Sequence, residues 1–318
     1  MTLPTDPTSH PAPARVGFLG PIGTFTEQAL LQEPDLAQAE HVPYSLMTDV
    51  LFAVADGEVD LGVVPVENAI EGTVNATVDT MAFDVDVLIQ RELLEPVSFD
   101  LLVRPGAPLE SIRTIISIPV ASAQCRTWLR ANLPDVEFVA ANSTAEAARL
   151  VADRDDPSVA AIANARAGEV YGLMSAARDI EDHPENQTRF VVVAADGIPA
   201  RTGHDKTSIV VFQQADRPGS LLAILQEFAA RSINLTLLLS RPTKTSLGDY
   251  CFLLDLDGHV ADPVVADCLR TLRATQGGVK FLGSYPAAGT DATGTRARVD
   301  EAFTEAEIWI ESLRRRIG

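Results

Sequence analysis

From Arg15 to Ala194 short apolar, β-branched runs alternate with stretches of helical spacing, and after Lys206 that rhythm changes. Such alternation restricts the first part of the chain to an α/β fold, with a mostly parallel, covered sheet and ligands at the carboxyl ends of its strands. "RVGFLG" reads as a strand ending in glycine, and "PIGTFTEQALL" opens a helix with Thr24 and Glu27 at capping-box spacing. "LMTDVLFAVADG" predicts an amphipathic helix stopped at Asp56-Gly57, followed by the buried strand "VDLGVVPV". "ENAIEGTVNATVDTMA" begins as a loop and ends as a helix. Strand "RTIISI", helix "SAQCRTWLRANL", strand "VEFVA", helix "STAEAARLVAD", strand "SVAAIAN" and strand "TRFVVVA" complete the series.

The polar segment "ADGIPARTGHDK" is expected to be a linker. Beyond it, strand "TSIVVFQ", helix "LLAILQEFAARS", strand "INLTLLLS", turn "RPTKTSLGD", strand "YCFLLDLDG", helix "PVVADCLRTLRA" and strand "VKFLGSYP" form a βαββαβ unit, the pattern of a ferredoxin-like sandwich. In the C-terminal tail Phe303, Ala306, Ile310, Leu313 and Ile317 recur at helical spacing, predicting a helix packed on its own chain or on a partner. A length of 318 residues, about twice the usual domain, agrees with two domains.

Charge narrows the function. A net charge of −19 argues against nucleic acid and anionic membrane as partners, because both need a basic face. Residues 1–100 hold two cations, Arg15 and Arg91, whereas residues 101–195 hold nine arginines. An anionic ligand must therefore be held by arginines of the second stretch, or by backbone N–H groups and hydroxyls of the first. No lysine precedes Lys206, which removes Schiff-base and pyridoxal-phosphate chemistry from the first 205 residues. The opening "MTLPTDPTSHPAPA" has four prolines and no apolar core, so it reads as a disordered tail rather than a signal peptide. No run of about eighteen apolar residues marks a membrane span. Three cysteines, Cys125, Cys251 and Cys268, show no metal-ligand spacing and fit a reducing, cytoplasmic setting.

Several short motifs can carry chemistry. "GFLGPIG" lacks the glycine spacing of a dinucleotide site, but its strand, glycine turn and capped helix start offer N–H groups to a carboxylate. A tight turn with nothing bound is the alternative. Glu67 and Asn68 stand where a buried strand ends, either to contact a ligand or to cap the next helix. Ser117 and Gln124 straddle a strand end and a helix start. Thr188 and Arg189 enter an apolar strand, where a lone cation needs a partner, either a structural carboxylate or a substrate.

Taken together, these motifs resemble the monofunctional prephenate dehydratases of bacterial phenylalanine biosynthesis. The family's Gly-Pro-x-Gly-Thr-Phe-Ser/Thr is met by Gly20 to Thr26, its Pro-x-Glu-Asn-Ser-x-x-Gly by Pro65 to Gly72, and its Asn-x-Thr-Arg-Phe by Asn186 to Phe190. A regulatory ACT domain, a small amino-acid-binding module, is matched by "DRPGSLLAIL" and "INLTLLLSRPT". The resemblance implies a two-lobed catalytic region like a type II periplasmic binding protein over residues 15–195, with lobes at 15–95 plus 186–195 and at 96–185. A tail at 1–14, a linker at 196–206, an ACT domain at 207–286 and a tail with a helix at 287–318 complete the expected division. It further implies a cofactor-free, decarboxylating dehydration of prephenate to phenylpyruvate, in a homodimer or homotetramer that takes phenylalanine as effector. Thr188 matches the family's catalytic hydroxyl, with Asn68, Ser117, Gln124 and Glu67 as further catalytic positions. Arg189, Phe190, Thr24, Gly23 and Gly72 match substrate-binding positions.

Four departures stand out: Ala69 for the family serine, Ile118 and Val120 for the histidine and glutamine of Ser-His-Pro-Gln, which begins at Ser117, and Leu239 for a glutamate. The last falls in the effector site, which the resemblance places at Pro218, Gly219, Ser220, Leu221 and Leu222, with Asn234 and with Leu239, Ser240, Arg241 and Pro242. Leucine cannot accept a hydrogen bond from an ammonium, so altered effector affinity or selectivity is expected. Arogenate as substrate, a catalytically silent amino-acid sensor and an exported solute-binding protein are the competing readings. The short stretch before the first strand further implies that a separate mutase supplies prephenate.

Overall fold

The computed structural model describes residues 13–213, 217–244, 249–289, 308–310 and 312–316. The proline-rich tail up to residue 12, and Phe303, Ala306 and Ile317 of the expected C-terminal helix, lie outside the described residues; Ile310 and Leu313 are exposed in helical turns.

Along the chain run β1 (Arg15–Leu19), α1 (Phe25–Leu31), α2 (Pro34–Ala37), β2 (Glu40–Tyr44), α3 (Met47–Ala55), β3 (Leu61–Asn68), β4 (Gly72–Thr73), α4 (Asn75–Phe83), β5 (Leu88–Pro96) and β6 (Asp100–Val103). Next come β7 (Thr114–Ser117), α5 (Pro119–Gln124), α6 (Arg126–Asn132), β8 (Glu137–Ala140), α7 (Thr144–Ala152), β9 (Val159–Ala163), α8 (Ala165–Tyr171), β10 (Met174–Ala177) and β11 (Gln187–Ala194). The last elements are β12 (Asp205–Phe212), α9 (Ser220–Ala229), β13 (Leu235–Pro242), β14 (Tyr250–Asp257), α10 (Pro263–Thr275) and β15 (Gly278–Pro286). The chain divides into two compact units, Met1–Val78 with Leu93–Val191, and Asp79–Glu92 with Val192–Gly318.

Two sheets build the α/β region, in the orders β2-β1-β3-β11-β5, with β4 beside β3, and β10-β6-β9-β7-β8. The chain passes between them twice, from β5 to β6 and from β10 to β11, which produces the expected two-lobed architecture. In the first sheet β1 pairs parallel with β2 and β3. The second is mixed rather than mostly parallel: β7 is parallel to β8 and β9, but β6 is antiparallel to β9 and β10. β6 enters the second sheet directly from β5 of the first, after only residues 97–99.

At the middle of the second sheet both faces are covered, so β9 reads "VAAIA" and is buried throughout, whereas the edge strand β8 is exposed. Leu101, Ile115 and Ile162 enter one core, while Leu102, Ile116 and Ala161 enter the other, as strand alternation requires. The expected helix over 122–133 is broken at Cys125 into α5 and α6; Cys125 has φ −111° and ψ 15°, outside the helical range. Strands β2, β4, β5, β6 and β10 and helices α2 and α8 are absent from the sequence reading. Two of these strands, β2 and β10, are sheet edges with only partly buried side chains, so the apolar signal is weak there.

In the second unit β12, α9, β13, β14, α10 and β15 form an antiparallel sheet in the order β13-β14-β12-β15, the ferredoxin-like arrangement. Ile209, Val211, Ile224, Phe228, Leu254 and Leu272 fill its core. Arg241 and Pro242, expected in a turn, instead extend β13, opposite Cys251 and Tyr250. Proline is tolerated there because β13 is an edge strand. Among the described residues no helix is long and apolar enough to cross a membrane.

Candidate active site

The polar end of β11 meets the polar end of β3. Four consecutive residues of β11, Phe190 to Val193, are buried, whereas Thr188 and Arg189 are half-buried at its entrance. Asn68 closes β3 and uses both ends of its amide. Its Oδ1 accepts from the backbone N–H groups of Ile70 and Glu71, each at 3.0 Å, and its Nδ2 donates to Thr188 Oγ1 at 2.9 Å. This side-chain turn brings Gly72 opposite Asn68 in β4, with φ +79°, a value glycine adopts without strain. The neighbouring Ala69, where the family has serine, is anchored by its backbone: its N–H donates to the Gln187 carbonyl at 2.9 Å.

Gln124 ends α5 and is buried. Its Nε2 donates to Glu71 Oε1 at 3.0 Å, and its Oε1 accepts from Asn186 Nδ2 at 3.1 Å. Thr188, Asn68 and Gln124 therefore belong to one network, and Glu71 and Asn186 are members that the sequence reading did not assign. Asn186 had a signal as the first residue of Asn-x-Thr-Arg-Phe; Glu71 occupies an unspecified position of its motif.

Other expected residues are engaged elsewhere. Arg189 Nε lies 3.2 Å from Glu67 Oε2, the structural ion pair that the sequence left open. Ser117 is buried, and its hydroxyl donates to the Ile162 carbonyl at 2.9 Å, tying β7 to β9. Phe190 is a core side chain. Thr24 caps α1, accepting from the Glu27 N–H at 3.3 Å, while Glu27 Oε2 accepts from Gly23 N at 2.6 Å. The Gly23 N–H that could have faced a carboxylate ligand thus already has one from its own helix.

Thr24 also borders a cavity of about 940 Å³ between the two sheets. Pro21, Tyr44 and Met47 line it from one lobe, Asn142, Ser143 and Arg149 from the other. Among its lining residues Arg149 is the single cation. Thr188, Asn68 and Gln124 are not part of its wall.

One further carboxyl is unusual. Glu95, near the end of β5, is 1% exposed, and its two oxygens accept from Gln28 Nε2 at 2.7 Å and Gln32 Nε2 at 2.6 Å. Gln28 Oε1 accepts in turn from Asn164 Nδ2 at 2.9 Å, and Asn164 caps α8. Burial raises the Glu95 carboxyl to about 7, against the opposing pull of the two amide donors.

In the second unit the expected effector residues split. Gly219 caps α9 and Ser220 Oγ donates to Gln213 Oε1 at 2.7 Å. Leu221 packs toward the core, whereas Leu222 and Pro218 are exposed. Asn234 Nδ2 donates to Asp257 Oδ2 at 2.9 Å. Leu239 and Ser240 pair with Leu253 and Phe252 in the sheet, and Arg241 holds both oxygens of Asp79 at 2.7 Å.

Comparison with known proteins decides what this arrangement belongs to. The prephenate dehydratase family pattern matches residues 16–197, and the ACT domain pattern matches residues 207–274. The chain belongs to the prephenate dehydratase family. A prephenate dehydratase of Mycolicibacterium vanbaalenii is 42% identical over 314 residues, covering 94% of this chain and 98% of that protein. Among solved structures, a prephenate dehydratase from Arthrobacter aurescens in complex with L-Phe is 41% identical with a TM-score of 0.87, covering 95% of this chain and 99% of that one. The Staphylococcus aureus prephenate dehydratase is 30% identical with a TM-score of 0.74, covering 85% and 99%. The chain is accordingly an enzyme of the lyase class with a C-terminal ACT domain.

Two predictions follow from the packing around the site. A Cβ at Gly23 (φ +92°) would lie 3.2 Å from the Ala167 Cα, so Gly23→Ala should cost about 1–3 kcal/mol in denaturant unfolding. An unchanged midpoint would show that the lobes give way at that contact. For Glu95, the folded state holds a proton between its ordinary 4.5 and about 7 that the unfolded chain has released, so this group's contribution to stability falls as pH rises through that window. Melting curves from pH 5 to 8 should show Glu95→Gln gaining on the wild type as pH rises, whereas parallel pH profiles would refute a raised Glu95.

Proposed function

We propose that this enzyme converts prephenate to phenylpyruvate, with loss of carbon dioxide and water, and that phenylalanine regulates it through the ACT domain. The observation that supports the chemistry best is the 2.9 Å contact in which Asn68 donates to Thr188 Oγ1. Because the hydroxyl accepts there, its own hydrogen stays available, and no acceptor among the described residues takes it. That hydrogen is what a departing ring hydroxyl needs.

In the proposed step the bond between the ring and its carboxylate breaks, its electron pair enters the ring, and the hydroxyl on the opposite carbon leaves as water after receiving a proton. Aromatisation supplies the driving force. Threonine is a weak acid, so Thr188 orients and relays a proton rather than supplying one alone. Gln124 adds a neutral donor beside the leaving oxygen, Asn68 holds Thr188 in place through its amide nitrogen, and exclusion of water from the site strengthens both contacts. Arg189, paired with Glu67, fixes the entrance of β11 and shares its guanidinium with a substrate carboxylate. Thr24, Gly23 and Gly72 shape the walls, and Ser117 holds β7 against β9.

The catalytic role is assigned to residues 15–195 and the regulatory role to 207–286, joined by 196–206, in a homodimer or homotetramer of the cytoplasm. Effector binding is placed at Gly219 to Leu222 and at Leu239 to Pro242. The complex of the Arthrobacter aurescens relative with L-Phe supports phenylalanine as the ligand. With Leu239 lacking an acceptor, the ammonium falls to backbone carbonyls and to the side-chain oxygen of Asn234, whose amide nitrogen Asp257 holds in place, which alters affinity or selectivity.

Purified full-length protein should form phenylpyruvate from prephenate, and Thr188→Ala should lower kcat about 100- to 1,000-fold, the scale of one lost group that acts on the transition state. Phenylalanine should suppress the wild-type rate. Absence of turnover would overturn the enzymatic reading, and turnover indifferent to phenylalanine would overturn the regulatory one.

A further inference from the structure

We propose that Glu71 is a positioning residue for the dehydratase reaction, setting the direction of the hydrogen-bond network that presents Gln124 and Thr188 to the substrate. The inference rests on the dehydratase reading of the site. Its starting point is a closed circuit. Thr188 accepts from Asn68; the Asn68 side-chain oxygen fixes the Glu71 backbone N–H; the Glu71 carboxylate accepts from Gln124; Gln124 accepts from Asn186; and Asn186 precedes Thr188 by two residues.

Three members of this circuit are amides, and an amide can be satisfied in either orientation, its oxygen and nitrogen exchanging places. Asn186 makes this freedom concrete. Its Oδ1 is buried with no partner among the described residues, so a flipped Asn186 would offer an acceptor to a flipped Gln124. Only the carboxylate of Glu71 accepts without donating. It therefore forces the Gln124 nitrogen toward itself and the Gln124 oxygen toward Asn186, and leaves the second N–H of Gln124 as a donor. With the amide reversed, Gln124 would turn an oxygen to an anionic substrate, a repulsive contact in place of an attractive one.

The two lobes also meet here. Glu71 sits on the turn after β3 in the first, and Gln124 ends α5 in the second, so the 3.0 Å contact joins them at the site. The turn that carries Glu71 is exposed and costs little to alter, which separates positioning from folding.

The test compares wild type, Glu71→Ala and Glu71→Gln in full-length protein by steady-state kinetics with prephenate and by thermal melting. Glu71→Ala should lower kcat about 10- to 100-fold with KM changed less than about threefold and melting little affected, the scale of one charge-assisted hydrogen bond. Glu71→Gln, which keeps shape and an acceptor but not the acceptor-only character, should fall with Glu71→Ala. Full activity in Glu71→Gln would overturn the direction-setting role. A raised KM at unchanged kcat would make Glu71 a binding residue instead, and a lowered melting temperature at unchanged kcat would make it structural only. An inactive wild type would refute the dehydratase reading itself, an outcome distinct from all of these.

Discussion

The site depends on the double use of one amide. Asn68 accepts from two backbone N–H groups of its own turn and donates to Thr188, so the loop after β3 and the start of β11 are held by opposite ends of a single planar group. Aspartate could make the turn but could not donate to a hydroxyl, and serine could not reach both partners. Because the loop is built on Asn68, Glu71 arrives opposite Gln124, and through Gln124 the second lobe is tied to the same strand entrance. Although Ala69 stands where the family has serine, the turn is fixed by the amide of position 68 and the backbone N–H of position 69.

Neutral donors dominate where a dianionic substrate calls for charge. The proposed substrate is a dianion and the chain carries a net charge of −19, yet Arg189 is matched to Glu67. Cations placed bare in the cleft would bind substrate and transition state alike, and uniform binding does not raise kcat. Amides and a hydroxyl, by contrast, can be aimed at the oxygen that gains charge only as the bond breaks. Arg149, the single cation lining the cavity beside Thr24, is likewise matched, by Glu146 and Asp153.

Legibility in the sequence followed the strength of the local signal. Buried strands such as β3, β9 and β11, and helices with clear apolar periodicity such as α3 and α7, are readable because burial on one or both faces dictates composition. Edge strands β2 and β10 are not, since "EHVPY" and "MSAA" face solvent over much of their length. The motifs placed Thr188, Asn68 and Gln124 close together in expectation and they share a network in the fold, but the partners of Arg189 and Ser117 are long-range and unreadable from spacing. Glu71 was invisible for a different reason: an acidic residue in a turn looks like any solvated turn residue until its partner 53 positions away is known.

Strand β5 shows how context divides the work of two like residues. Glu92 and Glu95 are three positions apart and both are buried. Glu92 receives Lys206, the first lysine of the chain, whose Nζ lies 3.1 Å from each of its oxygens. That buried ion pair is costly to break from one side, since removing the lysine would strand a charge. Glu95 receives only the amides of Gln28 and Gln32, which stabilise a carboxylate without balancing its charge, and burial therefore carries it to about 7. Gln28 is in turn held by Asn164 of the second lobe, so the protonation of Glu95 is linked to the same interlobe contact that Gly23 and Ala167 make by close approach. A charged partner, like the lysine that meets Glu92, would have held the Glu95 carboxyl ionised; neutral amides do not outweigh the effect of burial.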